Sequence, residues 1–503
     1  MKKVIFIKSA RLGVSPTLLV LLCLLLGANV EAQTVQSAQY IFPSCRGISV
    51  IVRESSAGIP VIVHHHIISN DGAGFLYGNI ATNAAKMFVI PDTTFVDSYV
   101  NYKVKDMRVV GDMCYFCGVR VREHYEGSML VFDSIGVLGR FHLPTSGFDQ
   151  SVKHDLKLIH ETKSLDRMAA FADYSDTVLA MIGIVDNPAS ESCLTVARVN
   201  NTAQWKYYVE YTNNSVVEEV FTDIAVDPKN VTIASYHKNG EGMHHFNLRI
   251  SDNYDVQNDT YSYFDILNKY TPILMTMPNP CFTLARPDFA AIRLCVEPND
   301  SKVYAAFACY NSAMLPAYPT GVCKIETDSK ILLSAQIVQK AYMTPHTLVD
   351  VAYLDATVGS GAPASVALLH QTDGMYKTVV EYPYADISSY GPSPVALVQQ
   401  KADEMLSSVF AHDRDNVRFG GILDHSTKKL TYLQEILPPL ADKYLCIEST
   451  EANIMTSNDA QAPESVPSPL LQKTDSMKDL NWGHKTAVSE EINAENICIH
   501  YKN

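Results

Sequence analysis

A strand–turn–strand pattern recurring roughly every 56 to 69 residues constrains this chain more than any other feature of its sequence. An apolar strand, a turn of Asp, Asn, Pro or Gly, and a second strand rich in Val, Tyr, Phe and small residues follow one another. The pattern starts at Asp106 (DMRVVGDMCYFCG), Arg167, Asp223 (DIAVDPKNVTIAS), Ile292, Asp350 and Ser408. One period further back, near residue 45, Gly47-ISVIVRES and Gly74-FLYGNI are strand-like, which gives about seven units. The clearest unit runs from Lys105 to Leu143 and reads as four short strands. One ends before Gly111, and the others are Met113 to Val121, Met129 to Phe132 and Val137 to Leu143. Gly-led turns at Gly127, Gly242 and Gly374 supply the positive φ that hairpins need, and Met129 is expected to open a strand against the neighbouring unit.

A four-stranded meander cannot bury both of its faces alone. Radial packing of such sheets solves this and leaves only short edges. The expected fold is therefore all-β, a β-propeller of about seven four-stranded blades, with six or eight the neighbouring counts, closed by pairing between the chain ends. A tandem array of β-sandwiches would show linkers every hundred residues or so, and none is present. With 27 Tyr, 2 Trp and 24 each of Gly and Pro, the composition suits strands and turns. One short helix is expected, at Ala396 to Leu406.

Residues 1–32 read as a secretory signal peptide: Lys2, Lys3, Lys8 and Arg11, an apolar run from Thr17 to Leu26, then Val30-Glu31-Ala32 before Gln33. Leu22 is too bulky for a lipobox at Cys23. The apolar run is too short for an ordinary membrane span, so none is expected after cleavage. Removing this segment takes away four basic residues and one acidic residue. It leaves 36 basic and 53 acidic residues, a net charge of −17 with His neutral. That balance disfavours nucleic acid and anionic lipid surfaces. The expectation is an exported monomer in the periplasm, at the cell surface or outside the cell.

The propeller is expected over 33–450, followed by a polar, Pro/Ser-rich surface excursion over 451–503 with a possible closing strand at 496–502. Of the ten cysteines after cleavage, Cys114, Cys295 and Cys309 lie in apolar strands and read as small buried hydrophobes. Cys446 and Cys498, flanking the polar segment, are the pair to examine for a disulfide. The signal peptide, repeats of the type VVGDMCYFCG and the Cys-containing C-terminal end resemble large, uncharacterised secreted β-propeller-like proteins of Bacteroidetes bacteria. The resemblance covers residues 33 to about 440 and implies an exported propeller without a settled activity.

The motifs exclude more than they assign. His64 and His66 share one strand face at a chelating spacing, but no carboxylate or thiolate completes a site, and surface histidines are the expected reading. On a strand, Cys114 and Cys117 point to opposite faces, which disfavours zinc or redox chemistry. The turn Ser69-Asn-Asp71-Gly72 departs from an Asp box. There is no HExxH, GxSxG or Walker loop. No catalytic residue, metal ligand or cofactor is therefore assigned, and the binding residues are left open. The expected function is a binding module for a glycan or an envelope protein. The alternative is a glycoside hydrolase or lyase with paired carboxylates at the channel mouth.

Overall fold

The computed structural model describes residues between 35 and 501, excluding internal stretches of which 251–270, 275–291, 309–319 and 458–470 are the longest. The signal segment, the turns at Gly242 and Gly374, Ser69-Asn70, Cys281 and Cys309 lie outside the described residues. The described chain is almost entirely antiparallel β-structure, with one 3-10 turn at Ile80–Thr82.

The strands form seven consecutive four-stranded antiparallel units. Unit I is the second half of β1 (Val35–Glu54), with β2 (Pro60–His66), β3 (Gly72–Asn79) and β4 (Ala84–Pro91). A short β5 (Thr93–Phe95) leads into unit II: β6 (Ser98–Val110), β7 (Met113–Glu126), β8 (Met129–His142) and β9 (Ser151–Ile159). Unit III is β10 (Thr162–Asp173), β11 (Asp176–Val185), β12 (Ser192–Asn200) and β13 (Lys206–Thr212). Unit IV is β14 (Glu218–Val226), β15 (Val231–Lys238), β16 (His244–Ile250) and β17 (Thr271–Leu274).

Unit V is β18 (Ile292–Val296), β19 (Lys302–Ala308), β20 (Thr320–Glu326) and β21 (Ile331–Gln339). Unit VI is β22 (His346–Leu354), β23 (Ser365–Thr372), β24 (Lys377–Tyr382) and β25 (Val395–Ala402). Unit VII is β26 (Glu404–Ala411), β27 (Val417–Leu423) and β28 (Lys429–Glu435), completed by the first half of β1. One strand therefore serves the last unit and the first.

Hydrophobic clusters lie between consecutive sheets, not within any one of them. Phe75, Phe88, Phe116 and Phe141 join units I and II, with ring centroids 4.8 to 5.2 Å apart. Leu138, Leu179 and Met181 join II and III, and Ile182, Leu194 and Ile233 join III and IV. Comparable clusters join V to VI, VI to VII and VII back to I. The first strands β1, β6, β10, β14, β18, β22 and β26 each touch the next in that order, and β26 touches β1.

Two expectations about unit boundaries are corrected. Met129 to Phe132 and Val137 to Leu143 belong to one strand, β8, and the fourth strand is β9. Gly136 and Gly139, inside β8, are packing glycines. A Cβ at Gly139 would lie 2.1 Å from the Phe116 ring, and one at Gly136 would lie 2.1 Å from Thr162 Oγ1. Gly127 does turn a hairpin, at φ +67°, and Met129 beside it opens β8 but is 69% exposed. The expected helix at Ala396 to Leu406 is instead β25 and β26, because β24 on one side and a C-terminal strand on the other satisfy its backbone.

The C-terminal segment supplies that strand and three more. β29 (Glu448–Ser457) pairs with β21 and β25, and β30 (Leu471–Asp479) pairs with β13. β31 (Gly483–Ile492) pairs with β9 and then β4, and β32 (Glu495–Tyr501) pairs with β1. Residues 471–492, read from composition as an excursion, thus add a fifth strand to three units. The whole segment adds one to every unit except IV among the described pairings. Its polarity reflects this position: an outermost strand is held by backbone hydrogen bonds and needs no apolar face.

A disulfide between Cys446 and Cys498 joins the two ends of the segment across 52 residues of sequence. Replacing both cysteines with serine is expected to lower unfolding stability by about 2–4 kcal/mol. It should also expose the segment after Cys446 to limited proteolysis. Unchanged denaturation midpoints and digestion patterns in the double variant would show that the disulfide bears no load.

Candidate functional site

The first strands share a local distortion. β6, β14, β22 and β26 each carry a register shift just before Asp106, Asp223, Asp350 and Ser408, so Lys105, Thr222, Val349 and Ser407 are left out of the ladder. A bulge of this kind re-aims the next side chain. Here it turns each oxygen-bearing group onto the following unit. Asp106 Oδ2 accepts from Met168 N (3.0 Å), Asp223 Oδ2 from Leu294 N (2.8 Å) and Asp350 Oδ2 from Val409 N (3.0 Å). Ser408 Oγ accepts from Val52 N (3.1 Å) and so closes VII onto I. The other oxygen of each aspartate accepts from the N–H of its own next residue, at 2.8 to 3.1 Å.

Arginines fill the space between these aspartates. Arg53 Nη2 lies 3.3 Å from Asp106 and its Nη1 lies 3.5 Å from Asp350, while Arg108 Nη1 donates to Asp106 at 2.7 Å. Arg167 and Arg293, from units III and V, both donate to the bulged Val349 carbonyl, at 3.3 and 3.1 Å. Arg293 also donates to Thr222 O at 3.0 Å.

The electrostatics follow from burial and from who faces whom. Burial pushes the Asp106 carboxyl up, but Arg108, Arg53 and Arg167 outweigh it and hold it below its ordinary value. At Asp223 burial wins over Arg167 and Arg293, and its value is raised. Burial, reinforced by the like charge of Arg167, brings Arg293 down to about 10.

Above this layer, toward the starts of the first strands, opens a cavity of about 680 Å³. Its lining carries the cations Lys103, Lys105, Arg167, Arg293 and Lys428, with His65, Gln371, Ser49, Ser407 and Thr347 as further polar groups. Ile48, Val104, Leu348, Met405 and Ile422 form its apolar wall. No carboxylate and no Phe, Tyr or Trp ring is among the described lining residues. Ser49 (φ +57°) and Lys428 (φ +49°), the two non-glycine residues held in the left-handed region among those described, both line it. Such backbone strain concentrates where a site requires it.

A second cavity, of about 610 Å³, lies between unit II and β31. Asp155 is its one carboxylate, held by Arg140 (2.8 Å) and His484 (2.5 Å), with Arg140 stacked 4.7 Å over Trp482. Deeper carboxylates serve the sheets. Glu219 is clamped by Arg249 (2.5 and 2.9 Å) and Ser235 (2.6 Å), and Glu404 accepts from Gln39 (2.7 Å).

The residues singled out from sequence fall elsewhere. His64 and His66 share a face of β2 but are 2% and 5% exposed, which corrects their reading as surface histidines. The His64 ring lies between Gly47 and Gly74, where a Cβ would approach within 2.5 and 2.7 Å, and is 3.3 Å from His66. Among the described residues no group of three potential metal ligands occurs. Cys114 and Cys117 lie on β7 in two different hydrophobic clusters, and burial pushes both thiols far up. The charged cavity residues were not marked by sequence reasoning. They match no motif: Lys103 and Lys105 stand on β6, Arg167 on β10 at a repeat start, Arg293 on β18, and Lys428 between β27 and β28.

No family model and no curated protein matches the chain. Among solved structures, it is similar to "Bombyx mori GH32 beta-fructofuranosidase BmSUC1" at 7% identity and a TM-score of 0.31, over 88% of this chain and 98% of that one. A likeness at that level carries no argument about activity.

Asp106→Asn is expected to destabilise the fold by about 3–5 kcal/mol, because it removes the carboxylate that Arg108 pairs with and one of the two that Arg53 faces. Asp223→Asn, whose carboxylate is already disfavoured by burial, should cost about 1–3 kcal/mol. Equal losses in chemical denaturation would refute the charge asymmetry.

Burial, then His66 and His65, lowers His64 from 6.5 to about 3. The folded ring stays neutral while the unfolded chain protonates near pH 6.5. Its stabilising contribution is therefore complete above that pH and declines as pH falls toward about 3. Between pH 6.5 and 4.5, wild type should lose up to about 1.4 kcal/mol per pH unit relative to His64→Asn. Parallel stability curves for the two would remove the assignment.

Proposed function

We propose that the seven units form a seven-bladed β-propeller, and that the protein is an exported binding module whose ligand enters the cavity among the first strands. The propeller reading is supported by the cyclic contacts of the first strands, by apolar clusters placed between sheets and by β1 serving both the last unit and the first.

The observation that carries the binding reading is the cavity lining, which offers five cations and no described carboxylate. Glycoside hydrolysis by the two-carboxylate route needs an acid and a second carboxylate facing each other across the bond. Asp106, Asp223 and Asp350 do not supply them, because backbone N–H groups hold both oxygens of each. The lining combines hydroxyl, amide and aliphatic groups around a volume within the usual range of ligand pockets, about 300–1,000 Å³. A saccharide presents matching hydroxyls and C–H faces.

The test is retention of purified residues 33–503 on a polysaccharide panel, with reducing-sugar release measured in the same samples. Retention without release is expected. Release abolished by removing a cavity-lining side chain would establish the hydrolase reading instead.

A further inference from the structure

We infer that the cavity among the first strands selects an acidic saccharide, one that carries a carboxylate or a sulfate ester. This rests on the binding reading above and adds the charge of the ligand to it.

The chain as a whole is acidic, with a formal net charge of −14. A negative protein that lines a cavity with Lys103, Lys105, Arg167, Arg293 and Lys428 concentrates opposite charge in one concave place. Low-dielectric walls focus that field toward the mouth. The cations divide by role. Arg167 and Arg293 sit at the floor with fixed orientations, because hydrogen bonds to Val349 O and Thr222 O hold them. Lys103, Lys105 and Lys428 make no ion pair among the described residues.

Arg167 and Arg293 are brought together over one carbonyl oxygen, with Asp106, Asp223 and Asp350 as counter-charges in the layer beneath, and an oxyanion above them would face both guanidiniums. Planar, fixed guanidiniums suit carboxylate and sulfate oxygens, and the lysines add point charge nearer the opening. No Phe, Tyr or Trp ring, the usual platform for stacking a neutral sugar, is among the described lining residues, and His65 is the one ring there. Charge and hydrogen bonding are what the lining offers.

The experiment is isothermal titration of residues 33–503 with three disaccharides of equal length, one uronate-containing, one sulfated and one neutral, at two salt concentrations. At least one acidic disaccharide should bind at least about tenfold more tightly than the neutral one, with the advantage shrinking at higher salt. Which acidic probe binds better separates carboxylate from sulfate. The double variant Lys103→Glu/Lys105→Glu changes exposed side chains and should keep the wild-type unfolding midpoint, yet weaken acidic binding by at least about tenfold. Lys206→Glu on β13, away from the cavity, should leave it unchanged.

Equal affinity for acidic and neutral disaccharides would overturn the inference and leave the binding module standing. So would acidic binding insensitive to the double variant. Binding of none of the three would overturn both.

Discussion

The carboxylate that crosses from one unit to the next is the interaction on which this architecture depends. Each sheet has two faces to bury and only its neighbours to bury them against, so relative placement of sheets is the central problem. Apolar side chains between sheets give attraction without register. Asp106, Asp223 and Asp350 supply the register, because one oxygen takes the aspartate's own following N–H and the other takes an N–H of the next first strand. The bulge before each residue aims it, and Ser408 fills the same position where the last unit meets the first. Buried carboxylates are costly unless paired and hydrogen-bonded. The arginines between them offset that cost, and Asp106 and Asp223 show the balance tipping in opposite directions within a single layer.

At the outer rim the problem is different. The last strand of each unit would present unpaired N–H and C=O groups, an invitation to edge-to-edge association. Four C-terminal strands cover those edges in the order V and VI, III, II and I, then VII, among the described pairings. The disulfide brings the two ends of this covering segment together. Inner and outer constraints thus act on the same sheets through different chemistry. Aspartate clasps fix the first strands, and backbone ladders cap the last ones.

These two devices differ in how they write themselves into sequence. The clasp appears in units II, IV, VI and VII in a fixed relation to an apolar strand, so Asp106, Asp223, Asp350 and Ser408 stood out among the repeat starts. The covering strands leave no such mark. β31 is exposed along most of its length, and only Ser489 and Ile492 are buried, so its polar composition resembles that of a loop. Glycine is ambiguous for a related reason: Gly136 and Gly139 mark close approach inside β8, whereas Gly127 marks a turn. His64 gave no local sign of burial either, since its surroundings come from Gly47 and Gly74 on two other strands.

The cavity was illegible for a stricter reason. Lys103, Arg167, Arg293 and Lys428 belong to four different units and become neighbours only when the first strands assemble. The layer that holds the units in register also forms the floor beneath the cavity. Val349 shows the coupling in one residue. Its bulge lets Asp350 reach unit VII, and its freed carbonyl orients Arg167 and Arg293. Guanidiniums already fixed by the fold need no reordering when a ligand arrives, which removes one of the main costs of association. A single arrangement therefore serves stability below and, on the proposed binding reading, recognition above, and the left-handed backbone at Ser49 and Lys428 falls at the same cavity.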